Sequence, residues 1–311
     1  MIFFSTKDYE YLKTELLASS TNYIDGVLIR KNFPDGERYL RIYSNVKDQD
    51  VCIVGGTQND LNTLEIFDLG CAISKYGAKS ITFVIPYYGY ATMERATKDG
   101  EVVGAKTRAR LLSAVPQAPE GNRIVLIDLH SEGIPYYFEG NVRVFHLYAK
   151  DLVLQMMADL SKGQDIVLGS TDAGRAKWVE SLAHEYGCMP AFVYKQRLSG
   201  SQTKVTGVNA DVKGKHVVIY DDMIRTGGSL MKAAGAYKAA GAIKISAITT
   251  HGVLPVFVEN GKKVNSIQNL IDSKLFETIC LTNTHPQTQS VINLTTVKIY
   301  SVADLITRFL K

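Results

Sequence analysis

HVVIYDDMIRTGGSLMKAAGA, residues 216–236, decides how this chain is read. An apolar run, His216–Tyr220, has the Val/Ile content of a strand buried on both faces. It ends in two adjacent acids, Asp221 and Asp222, and after Met223, Ile224 and Arg225 comes Thr226-Gly227-Gly228-Ser229, which opens an Ala-rich helix. Glycines let backbone N–H groups close on a phosphate, hydroxyls add donors, and a helix N-terminus supplies positive potential. Two carboxylates just upstream suit two vicinal sugar hydroxyls. An ordinary strand–turn–helix with a Thr or Ser cap is the plain alternative. It does not explain why a pair of acids precedes TGGS at this spacing.

Working outward, the same grammar repeats. Buried strands are expected at Val51–Val54, Ile81–Ile85, Ile124–Ile127, Ile166–Leu168, Val217–Tyr220 and Ile245–Thr249. Helical stretches lie between many of them, including Asn62–Lys75, Lys177–Tyr186 and Ser229–Ala240, closed by Gly77, Gly187 and Gly241. Alternating strand and helix predicts an α/β fold of two similar doubly wound parallel-sheet domains, residues 1–146 and 147–311. A final strand near Val297–Ser301 leads into a helix, Val302–Leu310, expected to pack back on the N-terminal domain. Ligands in such sheets sit beyond the carboxyl ends of the strands.

Composition narrows the class. The chain has 311 residues, 46% apolar and 21% charged, which is globular composition with room for two cores. Net charge is +4 with Lys and Arg spread along the whole length, which argues against a nucleic-acid binder. The four cysteines, Cys52, Cys71, Cys188 and Cys280, form no CxxC pair and read as free thiols of a reducing compartment. The start, MIFFSTKDYEYLK, lacks the basic flank and apolar length of a signal peptide, and no run has the length of a membrane span. A cytoplasmic protein is expected.

Several segments, in order along nearly the whole chain, resemble those of the ribose-phosphate pyrophosphokinases. VIYDDMIRTGGSL resembles the ribose-phosphate loop that this family shares with phosphoribosyltransferases. Asn32–Glu37 (NFPDGE) is similar to the family's FSDGE segment, Val84–Ala91 with Ala105-Lys106 to its ATP-loop region, and Ile127–Phe138 to its DLH motif. Ser170–Gly174 (STDAG) resembles PDAGG, and Tyr194–Arg197 (YKQR) resembles DKRR. Simple phosphoribosyltransferases lack the FSDGE and DLH segments. The resemblance implies the type I phosphoribosyltransferase-like fold. It implies transfer of the diphosphoryl group of ATP to the anomeric hydroxyl of ribose 5-phosphate, with Mg²⁺ as cofactor. Asp221, Asp222, Arg225, Thr226, Gly227, Gly228 and Ser229 would bind the sugar phosphate. Phe33, Asp35, Glu37, Arg95 and His130 would serve ATP, His130 and Asp172 would hold the metal, and Lys195 and Arg197 would be catalytic. Because FSDGE contacts adenine from a neighbouring subunit, a homo-oligomer, dimer or hexamer, is implied, with no nucleic-acid or membrane partner.

The residues also speak individually. His130 follows a strand and sits with Asp128; a lone His there is more often structural than a ligand. Asp172 would equally serve as a helix cap before Arg175. Lys195 and Arg197 precede a polar, Gly-punctuated stretch that reads as a mobile loop, suiting either a lid over a charged transition state or a solvated basic turn. Three departures stand out. Thr92-Met93 replaces the family's Arg-Gln, and Arg95 would stand one turn on were that segment helical. Arg225 replaces the acid of DDMxDTGGT, and Arg175 replaces the second Gly of PDAGG. Divergence explains these changes, as does an acceptor with more phosphate, such as ADP-ribose. A phosphoribosyltransferase and a catalytically silent regulatory subunit are the other readings.

Overall fold

The computed structural model describes the backbone of residues 1–199 and 202–311, and their side chains except at 173 and 195–206. The chain divides into two compact units, Met1–Tyr148 with Ala303–Lys311, and Ala149–Val302.

In the first unit the order is β1 (Ile2–Ser5), α1 (Glu10–Ala18), β2 (Ile24–Asp25), β3 (Leu28–Asn32), β4 (Arg38–Ile42), β5 (Asp50–Val54), α2 (Asp60–Lys75), β6 (Ser80–Ile85), α3 (Gly104–Ser113), β7 (Asn122–Ile127) and β8 (Arg143–Leu147). Six strands form a parallel sheet in the order β2-β1-β5-β6-β7-β8, while β3 and β4 make a separate antiparallel hairpin. On one sheet face Ile53, Ile81, Phe83, Ile85 and Ile124 pack with Ile66, Leu69 and Ile73 of α2 and Leu112 of α3.

The second unit runs α4 (Lys150–Ser161), β9 (Ile166–Ser170), α5 (Ala176–Tyr186), β10 (Met189–Ala191), β11 (Val193–Ser199), β12 (Gln202–Val208), β13 (His216–Ile224), α6 (Gly228–Ala239), β14 (Lys244–Gly252), β15 (Val256–Glu259), β16 (Lys262–Asn265), α7 (Ser266–Asp272), β17 (Thr278–Thr282) and β18 (Val297–Tyr300). The last helix, α8 (Ala303–Leu310), belongs to the first unit. The parallel sheet here is β10-β9-β13-β14-β17-β18. Counted within its own sheet, each unit therefore follows one strand order, with an antiparallel hairpin inserted after the second strand.

Strand period places the functional loops. Val217 and Ile219 face the α6 and α7 side, with Leu230, Ala233 and Leu270. Val218 and Tyr220 face the opposite side, with Met156 of α4 and Val179 of α5. Helices leaving β9 and β13 thus cover opposite faces, and these two strands are neighbours. Their carboxyl ends form the switch point at which open α/β sheets leave a crevice.

Three local expectations change. The strand before TGGS does not stop at Tyr220; it carries both acids and ends at Ile224, because β14 pairs with it through Gly252. Much of the stretch after Arg197 is strand rather than irregular loop: β11, ending at Ser199, and β12, Gln202–Val208, pair antiparallel, with Thr203, Val205 and Val208 supplying strand-forming residues. The segment carrying Arg95 is turns and bends, not helix, following Tyr90 at φ +62°. All four cysteines are free, with Cys52 and Cys280 buried. Among the described residues no helix is long and apolar enough to cross a membrane.

Candidate functional site

The second unit's switch point gathers the residues of two loops. Tyr220 pairs with Ser170 across β13 and β9, so the next residues, Asp221 and Thr171, come side by side. Thr171 Oγ1 donates to Asp221 Oδ2 at 3.1 Å, and the Asp222 backbone N–H donates to Asp221 Oδ1 at 3.0 Å. Burial, and then the negative charge of Asp222 alongside, hold the Asp221 carboxyl well above the usual carboxylate range, while the Thr171 hydrogen bond pulls the other way. Asp222 is buried and paired with Arg175, Nη2 to Oδ2 at 2.5 Å. Asp172 Oδ1 accepts from the Gly174 N–H at 2.9 Å, bending the chain into α5. That is the capping role open to Asp172 from the sequence, displaced into the turn before the helix.

The loop after β13 leaves its helix end open. Arg225, Thr226 and Ser229 are exposed, and Gly227 sits at φ +81°, a conformation that favours glycine. A side chain at 227 would also lie 2.9 Å from Leu270, so this residue is fixed on two counts. Gly228 differs: a Cβ there would meet only Thr226 Oγ1 at 3.7 Å, which leaves space above the backbone. No side chain caps α6, whose first intrahelical bond runs from the Met231 N–H to the Gly227 carbonyl at 2.9 Å. The N–H groups of residues 228–230 precede it and have no intrahelical acceptor. Open space, uncapped N–H groups, two hydroxyls and a nearby guanidinium make a cradle for a phosphate-sized dianion. Two acids stand close by for hydroxyls.

In the first unit, Asp128 is buried at φ +39°, directly after β7. A non-glycine residue there marks a backbone held by its surroundings. The Leu129 N–H donates to His146 Nε2 at 2.9 Å, so His146 fixes the turn that presents the exposed His130. His146, on β8, packs tilted against Tyr148 at 4.2 Å between centroids and has no motif in the sequence; only the register of β7 against β8 brings it there. The NFPDGE segment is the tip of the β3–β4 hairpin. The Glu37 N–H donates to Asp35 Oδ1 at 3.0 Å, Gly36 turns at φ +95°, and Phe33, 42% exposed, packs edge-on to Tyr39. Arg95 is exposed and pairs with its neighbour Glu94 at 3.6 Å.

Asp221, Asp222, Thr226, Gly227, Gly228 and Ser229 therefore come together, with Arg175 and Thr171 added by the structure. His130, Phe33, Asp35, Glu37 and Arg95 belong to the first unit. The side chains of Lys195 and Arg197 lie outside the described residues. Among the described residues no three His, Cys, Asp or Glu cluster as a metal cage. Arg175, expected from the sequence as a second cation for an extra phosphate, instead pairs with Asp222.

Known proteins match the chain along this frame. Residues 1–115 match the model of the N-terminal domain of ribose phosphate pyrophosphokinase, and residues 170–311 match that of the phosphoribosyl synthetase-associated domain. The ribose-phosphate pyrophosphokinase of Gloeobacter violaceus is 33% identical over 295 residues, 94% of this chain and 84% of the relative. That of Mycoplasma genitalium is 30% identical over 296 residues, 94% of this chain and 84% of the relative. The crystal structure of phosphoribosylpyrophosphate synthetase from Mycobacterium smegmatis matches with a TM-score of 0.83, covering 100% of this chain and 97% of that one at 26% identity. Matched at 33% identity over 94% of its length, and by family models over both of its units, this protein belongs to the ribose-phosphate pyrophosphokinase family.

Proposed function

We propose that the chain transfers the β,γ-diphosphoryl group of Mg-ATP to the anomeric hydroxyl of ribose 5-phosphate, giving phosphoribosyl diphosphate and AMP. The anomeric oxygen attacks the β-phosphorus, the bond from that phosphorus to the α–β bridging oxygen breaks, and AMP leaves; the hydroxyl proton is released. No covalent enzyme intermediate forms, so the protein's task is positioning and charge neutralisation. The observation that carries this reading is the open cradle at Gly228 beyond the Asp221–Asp222 pair, in one chain with the turns at Asp128 and Asp35–Glu37 that simple phosphoribosyltransferases lack. Residues 226–229 hold the 5-phosphate and the two acids accept from the 2- and 3-hydroxyls. Lys195 and Arg197 meet the charge on the β-phosphate and departing AMP. Phe33, Asp35, Glu37 and Arg95 serve the nucleotide, with the hairpin tip reaching a neighbouring copy in a homo-oligomer.

Asp172 and His130 are the residues that would hold Mg²⁺. Each is a ligand of its own unit, and with no cluster of three His, Cys, Asp or Glu among the described residues, each fits an ion that takes most of its oxygens from phosphate and water. Bound there, the ion neutralises phosphate charge. The reaction belongs to nucleotide biosynthesis in the cytoplasm.

A second reading has one observation in its favour. Arg225 is exposed beside Thr226, where the family resemblance leads one to expect an acid, and it suits an acceptor with a further phosphate, such as ADP-ribose. One experiment covers these readings: ATP, Mg²⁺ and a panel of 5-phosphorylated riboses, following AMP and product mass. AMP with ribose 5-phosphate supports the first reading, and AMP with ADP-ribose alone supports the second. Consumption of phosphoribosyl diphosphate with a nucleobase, without AMP formation from ATP, supports a transferase. No turnover with any acceptor leaves a silent regulatory subunit.

A further inference from the structure

We infer that Arg175 is a positioning residue of the sugar site, acting through Asp222 to set how strongly the enzyme demands a hydroxyl-bearing acceptor. This rests on the ribose-phosphate reading above. Resemblance to PDAGG leads one to expect glycine at 175, which offers neither side chain nor charge; here a guanidinium fills the place. It is 24% exposed, it lies at the N-terminal boundary of α5, and its Nη2 is 2.5 Å from Oδ2 of Asp222, whose side chain is 6% exposed. Its placement follows from the pairing of β9 with β13, which sets the turn at 171–175 beside the acids.

The pair has a direct consequence for recognition. Asp221 and Asp222 are adjacent, and because burial and Asp222 hold the Asp221 carboxyl toward its protonated form, the negative charge of the pair falls on the buried Asp222, which a cation must compensate. Arg175 supplies that cation from within the chain. A guanidinium bond to one carboxylate oxygen also fixes the plane of the Asp222 carboxylate before the sugar arrives, so less ordering remains when a hydroxyl binds. Asp221 is tethered differently, by the Thr171 hydroxyl and a backbone N–H. Arg175 reaches Asp222 and Thr171 reaches Asp221, so the hydroxyl received by Asp222 is the one that depends on residue 175.

The test is a substrate cycle. Ribose 5-phosphate, 2-deoxyribose 5-phosphate and 3-deoxyribose 5-phosphate are compared by kcat/KM for AMP release and by calorimetric affinity without ATP, in wild type, Arg175→Gly, Arg175→Gln and Arg175→Lys. Wild type is expected to favour ribose 5-phosphate strongly. Arg175→Gly and Arg175→Gln should shrink that preference by roughly tenfold against one of the two deoxy sugars and leave it intact against the other. Arg175→Lys, which keeps the charge, should retain most of it. An unchanged preference in both Gly and Gln variants, with equal losses on all three sugars, means that Arg175 is only structural and overturns the inference. Tighter binding of ribose 5-phosphate by Arg175→Gly also overturns it, because Arg175 would then obstruct the site. If wild type binds none of the three sugars and makes no AMP, the reading of the acceptor falls instead. Should Arg175→Gly fail to fold, the Gln and Lys variants decide alone.

Discussion

The loop after β5 and the loop after β13 occupy the same step of the same strand order, yet one closes on itself and the other stays open. After β5 come Gly55-Gly56-Thr57-Gln58-Asn59 and then α2. Asn59 caps that helix, its side chain accepting from the Asn62 N–H at 2.9 Å. The first turn already carries a carboxylate, Asp60, held by Tyr90 and Arg108. The glycines here allow close packing: a Cβ on Gly56 would lie 2.2 Å from the Tyr9 hydroxyl, and one on Gly89 would lie 2.0 Å from the Thr57 carbonyl. After β13 the helix has no side-chain cap, and Gly228 faces open space. Glycine therefore serves two ends in one architecture, room for a neighbouring loop in the first unit and room for a ligand in the second.

Substituting glycine on either side should expose the contrast. The largest effect is expected for Gly228→Val. Filling the cradle should lower kcat/KM for the sugar phosphate by at least about a hundredfold, with little change in thermal melting, since a Cβ there meets only Thr226 Oγ1, at 3.7 Å. Gly89→Ala should do the reverse, costing about 2–4 kcal/mol of stability by denaturant unfolding because its Cβ meets backbone. A Gly89→Ala variant as stable as wild type, or a Gly228→Val variant with normal acceptor kinetics, would break the comparison.

Smaller effects sharpen it. The Asp221 carboxyl is pushed up to about 8 by burial and by Asp222, far above its unfolded value near 4. Between those values the folded state holds a proton that the unfolded state has lost, so this group's contribution to stability falls as pH rises and levels off above about 8. Asp221→Asn should therefore be more stable than wild type by about 1–2 kcal/mol at pH 8, a gain that vanishes near pH 4, while losing sugar binding. Parallel melting curves for the two proteins across that range would count against it. Asn59→Ala should cost about 1 kcal/mol and leave acceptor KM unchanged, as expected of a cap with no ligand.

Much of this was legible in the residues, for identifiable reasons. Strands buried on both faces read as unbroken Val/Ile runs, which is why β5, β6, β7, β9, β13 and β14 stand out. β1 escapes because its four residues, Ile2–Ser5, make too short a run to show a period. The β3–β4 hairpin escapes because none of its residues is fully buried and Arg30, Lys31, Arg38 and Arg41 break up its apolar residues, so the contacts of Leu28, Leu40 and Ile42 with the core leave no apolar run. The acid pair and the glycine loop are contiguous, so their chemistry survives in one dimension. Arg175 with Asp222, Thr171 with Asp221 and His146 with Leu129 do not, since each depends on which strands pair and in what register. Asp128 at positive φ has no signature in composition.

Helix α8 carries one more consequence. Its Phe309 packs on Phe145 at 4.9 Å between ring centroids, and Ile306 is fully buried, so the last residues complete a unit begun at Met1. During synthesis the first unit must wait, unfinished, while residues 149–302 emerge, and only then can it close. The middle of the polypeptide is in that sense a guest within the first unit, free to mature before its host. Removing α8 should accordingly wound the unit of residues 1–148, made before the middle of the chain, rather than the unit to which α8 is joined in sequence.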